Sequence, residues 1–264
     1  MPTVLANGVR LYYETQGTGM PLVLIAGLGV GHWIWYKQVP AFSRHFRTIT
    51  FDNRGIGASE LGEAPFTIRT LAEDAAALLR ALGIERAHVL GASMGGFIAQ
   101  ELALAYPEIV ARLILVCTSF GGPNHVSAAP EILQAFLSPE GLNTEERVRA
   151  GLPIAFTPRF LSEHPDDVED LVQRRLAHPV SEQTFLAQIQ AVMGFNVEDR
   201  VSAIRAPTLV ITGDADVLIP PENSRRLAAR IPNAHLQIIE GAGHAVFIEQ
   251  ADVFNRVVLE FLSA

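Results

Sequence analysis

Short, unbroken apolar runs separated by stretches of helical period constrain this chain more than any other feature. Pro21-Leu22-Val23-Leu24-Ile25 and Leu113-Ile114-Leu115-Val116 carry no polar residue at alternate positions. Such runs suit strands of a parallel sheet covered by helices on both faces, because a strand with one wet face alternates. Candidate strands lie at Val9–Glu14, Leu22–Ala26, Arg47–Asp52, Ala87–Gly91, Arg112–Cys117, Thr208–Gly213 and Leu236–Glu240. The first is partly polar, and Asn7-Gly8 before it is a hairpin signal, so the sheet is expected to open with an antiparallel edge. Among the helical stretches, Thr67–Leu82 sets Ile68, Leu71, Ala75, Leu78, Leu79 and Leu82 on one stripe. It stops at Gly83, in the place of a C′ glycine. Further helices are expected over Met94–Tyr106, Glu222–Ile231 and Phe247–Leu262. This is the rhythm of a doubly wound α/β sheet, whose ligands sit beyond the carboxyl ends of the strands.

The rhythm breaks between about 121 and 195, where strand signals vanish and short helical pieces are punctuated by Pro123, Pro130, Pro139, Pro153, Pro158, Pro165 and Pro179. The expected organisation is therefore a core of residues 1–120 and 196–264, with a helical cap, or lid, over 121–195.

Composition narrows the chemistry. With 49% hydrophobic and 18% charged residues over 264 positions, the chain can bury a large core and is not a disordered one. Twenty Lys and Arg against 28 Asp and Glu leave no basic footprint for nucleic acid. Cys117 is the single cysteine, which excludes an internal disulfide framework and a Cys-rich metal site. The start, Met1-Pro2-Thr3-Val4, has no basic region followed by an apolar stretch, and the longest apolar runs are about half a bilayer span. A cytoplasmic monomer or homodimer acting on a small molecule, with no membrane partner, is the expectation.

The chemistry gathers at Gly91-Ala92-Ser93-Met94-Gly95-Gly96, a G-x-S-x-G string between an expected strand and an expected helix. There a tight turn lifts Ser93 above the sheet. A hydroxyl needs a base to take its proton. His244, in Gly241-Ala242-Gly243-His244 after a strand, is the best candidate. His88 and His235 lie at strand starts, the wrong end of the sheet. The imidazole in turn needs an acid to fix its tautomer. Asp214 and Asp216 both follow the strand ending at Gly213. Asp214 adjoins the turn glycine and suits a capping role, so Asp216 is preferred. The oxyanion requires two donors. The Met94 N–H, at a helix start, is one, and Leu28 N–H, in Ala26-Gly27-Leu28-Gly29-Val30-Gly31, is the other. That loop completes neither G-x-G-x-x-G nor a P-loop, which argues against a nucleotide.

Together these stretches resemble the α/β-hydrolase fold superfamily, specifically small members similar to carboxylesterases and 3-oxoadipate enol-lactonases. The likeness runs from Val9 to Leu262. It includes Phe51-Asp52-Asn53-Arg54-Gly55-Ile56-Gly57-Ala58-Ser59, similar to the family's D-x-R-G-x-G-x-S stretch, and Gly213–Pro220. Many members carry His-Gly where this chain has Ala26-Gly27, a change that leaves the backbone donor in place. The resemblance implies a mostly parallel eight-stranded sheet with helices on both faces, a mobile cap, the chain order Ser93…Asp216…His244, and no metal or organic cofactor. It also implies that Asp52 and Arg54 are structural, as an ion pair or a turn lock. Trp33 and Trp35 are expected either to line an acyl pocket or to cover the first helix. Phe136, Phe156, Phe185, Met193 and Phe195 are expected as apolar pocket walls.

The reaction expected is hydrolysis of a carboxylic ester through an acyl-enzyme. An enol-lactone hydrolase is the alternative, and its anionic substrate would need a cation from Arg147, Arg149, Arg159, Arg174 or Arg175. A cofactor-free haloperoxidase or perhydrolase, a carbon–carbon bond hydrolase, and a ligand sensor without turnover are further alternatives.

Overall fold

The computed structural model describes residues 2–137 and 144–264. Its strands are β1 (Thr3–Ala6), β2 (Val9–Gln16), β3 (Pro21–Ile25), β4 (Arg47–Phe51), β5 (Ala87–Ala92), β6 (Val110–Val116), β7 (Thr208–Gly213) and β8 (Ala234–Ile239). They form one eight-stranded sheet in the order β1-β2-β4-β3-β5-β6-β7-β8. The pairs β1–β2 and β2–β4 are antiparallel and the rest parallel. The antiparallel edge expected from Asn7-Gly8 is present. Both residues have positive φ, 48° and 81°, as a two-residue hairpin of this twist demands.

The unbroken apolar runs are explained by two cores, one on each face. Val23 and Ile25 of β3, Leu113 and Leu115 of β6, and Val210 of β7 pack into one. Leu22 and Leu24, Ile114 and Val116, and Leu209 and Ile211 pack into the other. The first core is closed by α2 (Ile68–Ala81), α3 (Met94–Ala105) and α9 (Glu222–Arg230), through Leu71, Leu78, Ile98, Leu102 and Leu227. The second is closed by α1 (Val39–Phe42), α10 (Val246–Glu249) and α11 (Ala251–Ser263), through Phe42, Phe247, Phe254 and Val258. Helix α2 starts at Thr67, whose hydroxyl accepts the Thr70 N–H, and ends before Gly83 at φ 68°.

One expected element divides. The final helix is not continuous over 247–262 but breaks at Gln250, φ −126° and ψ 53°. The Gln250 side chain donates instead to the Glu240 carbonyl (2.7 Å), tying the break to the end of β8.

Between β6 and β7 the chain forms α4 (Pro130–Leu137), α5 (Thr144–Ala155), α6 (Pro158–Glu163), α7 (Pro165–Ala177) and α8 (Glu182–Met193). Pro158 and Pro165 each open a helix, where the missing N–H costs nothing. The ends of this insertion are clasped by an antiparallel bridge between Gly121 and Asn196 and by Val197 N–H donating to Phe120 O (2.9 Å). Pro139 and the neighbouring positions 138–143 of the expected cap lie outside the described residues. No helix among the described residues is long and apolar enough to cross a membrane.

His88, near the start of β5, is buried against Phe46, and its Nδ1 lacks a partner among the described residues. Burial, reinforced by the Arg112 and Arg86 charges, lowers its pKa from 6.5 to about 4. As pH falls the unfolded chain protonates first, so stability is whole above about 6.5 and is lost progressively down to about 4. Between pH 7 and pH 5 the wild type should lose about 2 kcal/mol more stability than His88→Leu, read by urea unfolding. Parallel pH curves for the two proteins would overturn this account of His88.

Candidate active site

Strand β5 runs into Ser93, whose backbone has φ 55° and ψ −121°, a conformation that side-chain-bearing residues rarely adopt. The turn closes this tightly because of the glycines around it. A Cβ at Gly91 would lie 2.1 Å from the Gly95 carbonyl oxygen, and one at Gly95 would lie 2.1 Å from Ile25 O. The turn is held by Ser93 N–H donating to Val116 O (2.9 Å) and by the Thr118 hydroxyl donating to Ser93 O (2.9 Å). The Ser93 side chain is thereby set at the first turn of α3, at the carboxyl edge of the parallel strands.

Asp216 and His244 arrive at that edge from the loops after β7 and β8. His244 Nδ1 and Asp216 Oδ2 are 2.8 Å apart, and the Asp216 side chain is 0% exposed. The other oxygen, Oδ1, accepts the N–H groups of Leu218 (2.9 Å) and Ile219 (2.8 Å). Three bonds thus fix the carboxylate, which leaves His244 Nε2 as the ring nitrogen free to work. Asp214, in contrast, is exposed and accepts the Gly241 N–H (2.7 Å), closing the turn below.

The His244 loop is also tied to the helical insertion. Glu249 accepts the Gly243 N–H (2.7 Å) at Oε2, while its Oε1 takes the Thr157 N–H (3.2 Å) and hydroxyl. Ala245 N–H donates to Ala155 O (2.8 Å). Glu249 is a residue that sequence reasoning missed, since nothing local marks a helical glutamate as a tether.

Gly27 lies directly against the Ser93 turn: its Cβ position is 3.3 Å from Ser93 Cβ and 3.8 Å from Oγ. Leu28 follows in that loop, and Met94 opens α3. No acceptor among the described residues takes either N–H. The loop is supported from beneath by Asn53, whose Nδ2 donates to Ala26 O (3.3 Å).

Asp52 and Arg54 do not pair with each other. Asp52 Oδ1 accepts the His32 N–H (2.8 Å) and meets His32 Nδ1 (2.8 Å), locking the turn after the loop of residues 26–31. Arg54 is bidentate to Asp74 of α2, at 2.6 and 2.5 Å. Of the two expected structural roles, the geometry carries the turn lock. Burial opposes a charge on His32, but the Asp52 hydrogen bond and the Asp52 and Glu14 charges outweigh it and raise its pKa.

Cys117 follows β6 with φ 46° and is buried beside the pair, its Sγ within 4.8 Å of ligand atoms of Asp216 and His244. Burial first, and then the Asp216 charge, push the thiol well above its ordinary value. The Asp216 carboxylate beside it is already committed to His244 and to the Leu218 and Ile219 N–H groups.

The expected pocket residues are dispersed. Trp35 is 0% exposed and packs on Phe247, so it has no face left for a ligand and belongs to the core. Met193 is 80% exposed at the end of α8, so it walls nothing. Trp33 stacks on His178 (5.3 Å), Phe156 on Phe160 (5.1 Å), and Phe195 on Phe97 (4.4 Å). Phe136 is half-buried on α4, and the Phe185 ring faces Gly29 at 3.5 Å from its Cβ position. A surface cleft of about 690 Å³ lies elsewhere, lined by Tyr36, Lys37, Phe160, His164 and Gln250 among others, with no candidate catalytic residue in its wall.

The family model of the alpha/beta hydrolase fold matches residues 20–251. The chain belongs to the α/β hydrolase fold family. Among relatives, a protein of Azorhizobium caulinodans named as a carbamate hydrolase, RutD, is 34% identical over 261 residues, covering 99% of this chain and 98% of its own. A protein of Mycobacterium tuberculosis named as a non-heme bromoperoxidase, BpoC, is 36% identical over 263 residues, covering 97% and 98%. The crystal structure of the enol-lactonase from Burkholderia xenovorans LB400 superposes with TM-score 0.87 at 30% identity, covering 100% of both chains. This α/β hydrolase therefore shares its whole frame with proteins named for different reactions, and the frame alone does not choose among them.

Proposed function

We propose that this α/β hydrolase is a serine hydrolase that cleaves the acyl–oxygen bond of carboxylic esters and lactones through an acyl-enzyme. The observation that carries this reading is the 2.8 Å bond from Asp216 to His244 at the strand edge that presents Ser93. His244 Nε2 takes the Ser93 proton as Oγ attacks the carbonyl, and Asp216 steadies the imidazolium that forms. The oxyanion is held by the Leu28 and Met94 N–H groups, which are preorganised by the loop and the helix start. His244 returns the proton to the leaving alkoxide, then activates a water that releases the acid and restores Ser93. An open-chain ester loses its alcohol at the first stage, whereas a lactone keeps it tethered to the acyl group.

Helices α4–α8 act in this reading as the cap over the substrate, with the Phe185 ring against Gly29 of the oxyanion loop. The likeness to a lactonase in fold and in chain length supports attack on an acyl–oxygen bond. A fluorophosphonate probe should label the protein once, at Ser93, and a p-nitrophenyl acyl ester should give steady release beyond one equivalent. Labelling elsewhere, or a single stoichiometric burst, would overturn the reading.

A further inference from the structure

Three arginines of the helical insertion each pair with an acid four residues away on their own helix. Arg149 bonds Glu145 and Glu169, Arg159 bonds Glu163, and Arg174 bonds Asp170. Arg175 has no hydrogen-bond or ion-pair partner among the described residues, and its helical neighbours at i−4 and i+4 are Leu171 and Pro179. Its guanidinium reaches the oxyanion loop instead: the Cβ position of Gly29 is 3.3 Å from Arg175 Nη2 and 3.5 Å from the Phe185 ring.

A second unpaired donor meets the same glycine. Gln188, 0% exposed on α8, accepts the Gly29 N–H at Oε1 (2.8 Å). That bond fixes which end of the amide faces Gly29 and leaves Nε2 as a buried donor without a partner. Gly29 is two residues beyond Gly27, which touches Ser93, and two residues of chain reach at most about 7 Å. Two donors, one of them cationic, therefore stand unfilled a few ångströms past the loop that supplies the Leu28 N–H.

Arg175 is half-buried, and even partial burial of an unpaired charge is unfavourable unless a counter-charge arrives. Here burial alone pulls the Arg175 pKa down to about 10, which still leaves it charged at neutral pH. A planar guanidinium matches a carboxylate in two-toothed fashion. The overall charge of −8 opposes anions at long range, but a desolvated local charge outweighs it at contact.

We infer that Arg175 and Gln188 form an anion subsite, and that the substrate is an ester or lactone carrying a carboxylate a few carbon atoms from the scissile carbonyl. This rests on Ser93 being the nucleophile. The test compares monomethyl glutarate with methyl pentanoate, which differ only in a terminal carboxylate against a methyl group. The wild type should favour the glutarate ester. Arg175→Leu should lower kcat/KM on it by about 10- to 100-fold, mainly through KM, and leave methyl pentanoate within about twofold. Arg175→Lys should recover part of the loss. In a Ser93→Ala background, calorimetric binding of glutarate should be measurable and should vanish when Arg175→Leu is added.

Equal losses on both esters, no loss on either, or glutarate binding indifferent to Arg175 would overturn the subsite. Failure of the nucleophile reading looks different: neither ester is turned over by the wild type, while glutarate still binds through Arg175. Thermal unfolding guards against a trivial loss. Removing an unpaired, half-buried charge should leave Tm unchanged or raised, whereas a structural role for Arg175 would lower it.

Discussion

Ser93→Ala should reduce kcat for ester hydrolysis by about 10⁴- to 10⁶-fold with little change in KM, measured on a p-nitrophenyl acyl ester. The size follows from what the substitution removes. On the proposed mechanism there is no acyl-enzyme without Oγ, and His244 and Asp216 have no proton to manage, so the three residues fail as a unit rather than in part. What remains on that mechanism is the proposed oxyanion donor pair and substrate binding, neither of which involves the Ser93 side chain. The backbone of the turn is held by Val116 O and by the Thr118 hydroxyl, through Ser93 main-chain atoms. Circular dichroism and Tm should therefore stay close to wild type. A variant that keeps more than about a tenth of the wild-type rate would show that another nucleophile does the work.

The elbow was legible because its requirements are local. Gly91, Ser93 and Gly95 sit within five positions, and the backbone approaches that exclude a Cβ at Gly91 and Gly95 are dictated by that one turn. The sheet was legible because alternate residues of β3, β6 and β7 feed opposite cores, which forbids polar residues on either face. What escaped depends on partners distant in sequence. Strand β1 has four residues, two of them exposed, so its apolar pattern is too short to stand out before pairing with β2. The break at Gln250 is bought by a bond to Glu240, and Arg54 finds Asp74 on another element rather than Asp52 nearby. Trp35 and Met193 show the limit of composition. Both are large and apolar, yet one is sealed in the core and the other stands in solvent, and only packing separates them. The arginine at the loop was not legible. Arg149, Arg159 and Arg174 each have an acid four residues away, but Arg147 and Arg175 both lack one, so spacing alone does not single out Arg175.

Asp216→Asn should cost about 10³- to 10⁴-fold in kcat, whereas Asp214→Asn should stay within about threefold of wild type. The two aspartates are two residues apart on one loop, so the contrast isolates geometry from composition. Asp216 Oδ2 faces His244 Nδ1, and Oδ1 is already occupied by the Leu218 and Ile219 N–H groups. In the asparagine variant those two N–H groups claim the remaining carbonyl oxygen. The amide nitrogen is then turned toward His244, where it donates to Nδ1 and forces the proton onto Nε2. That is the wrong tautomer, since an Nε2 that carries a proton cannot take one from Ser93. The ring is held in place but disarmed, so KM should barely move. Asp214 Oδ1 accepts only the Gly241 N–H, a bond that an asparagine oxygen can keep. Its loss of charge lies on an exposed turn and reaches the imidazole weakly. A severe Asp214→Asn defect beside a mild Asp216→Asn one would mean that the 2.8 Å bond to His244 is not the one catalysis uses.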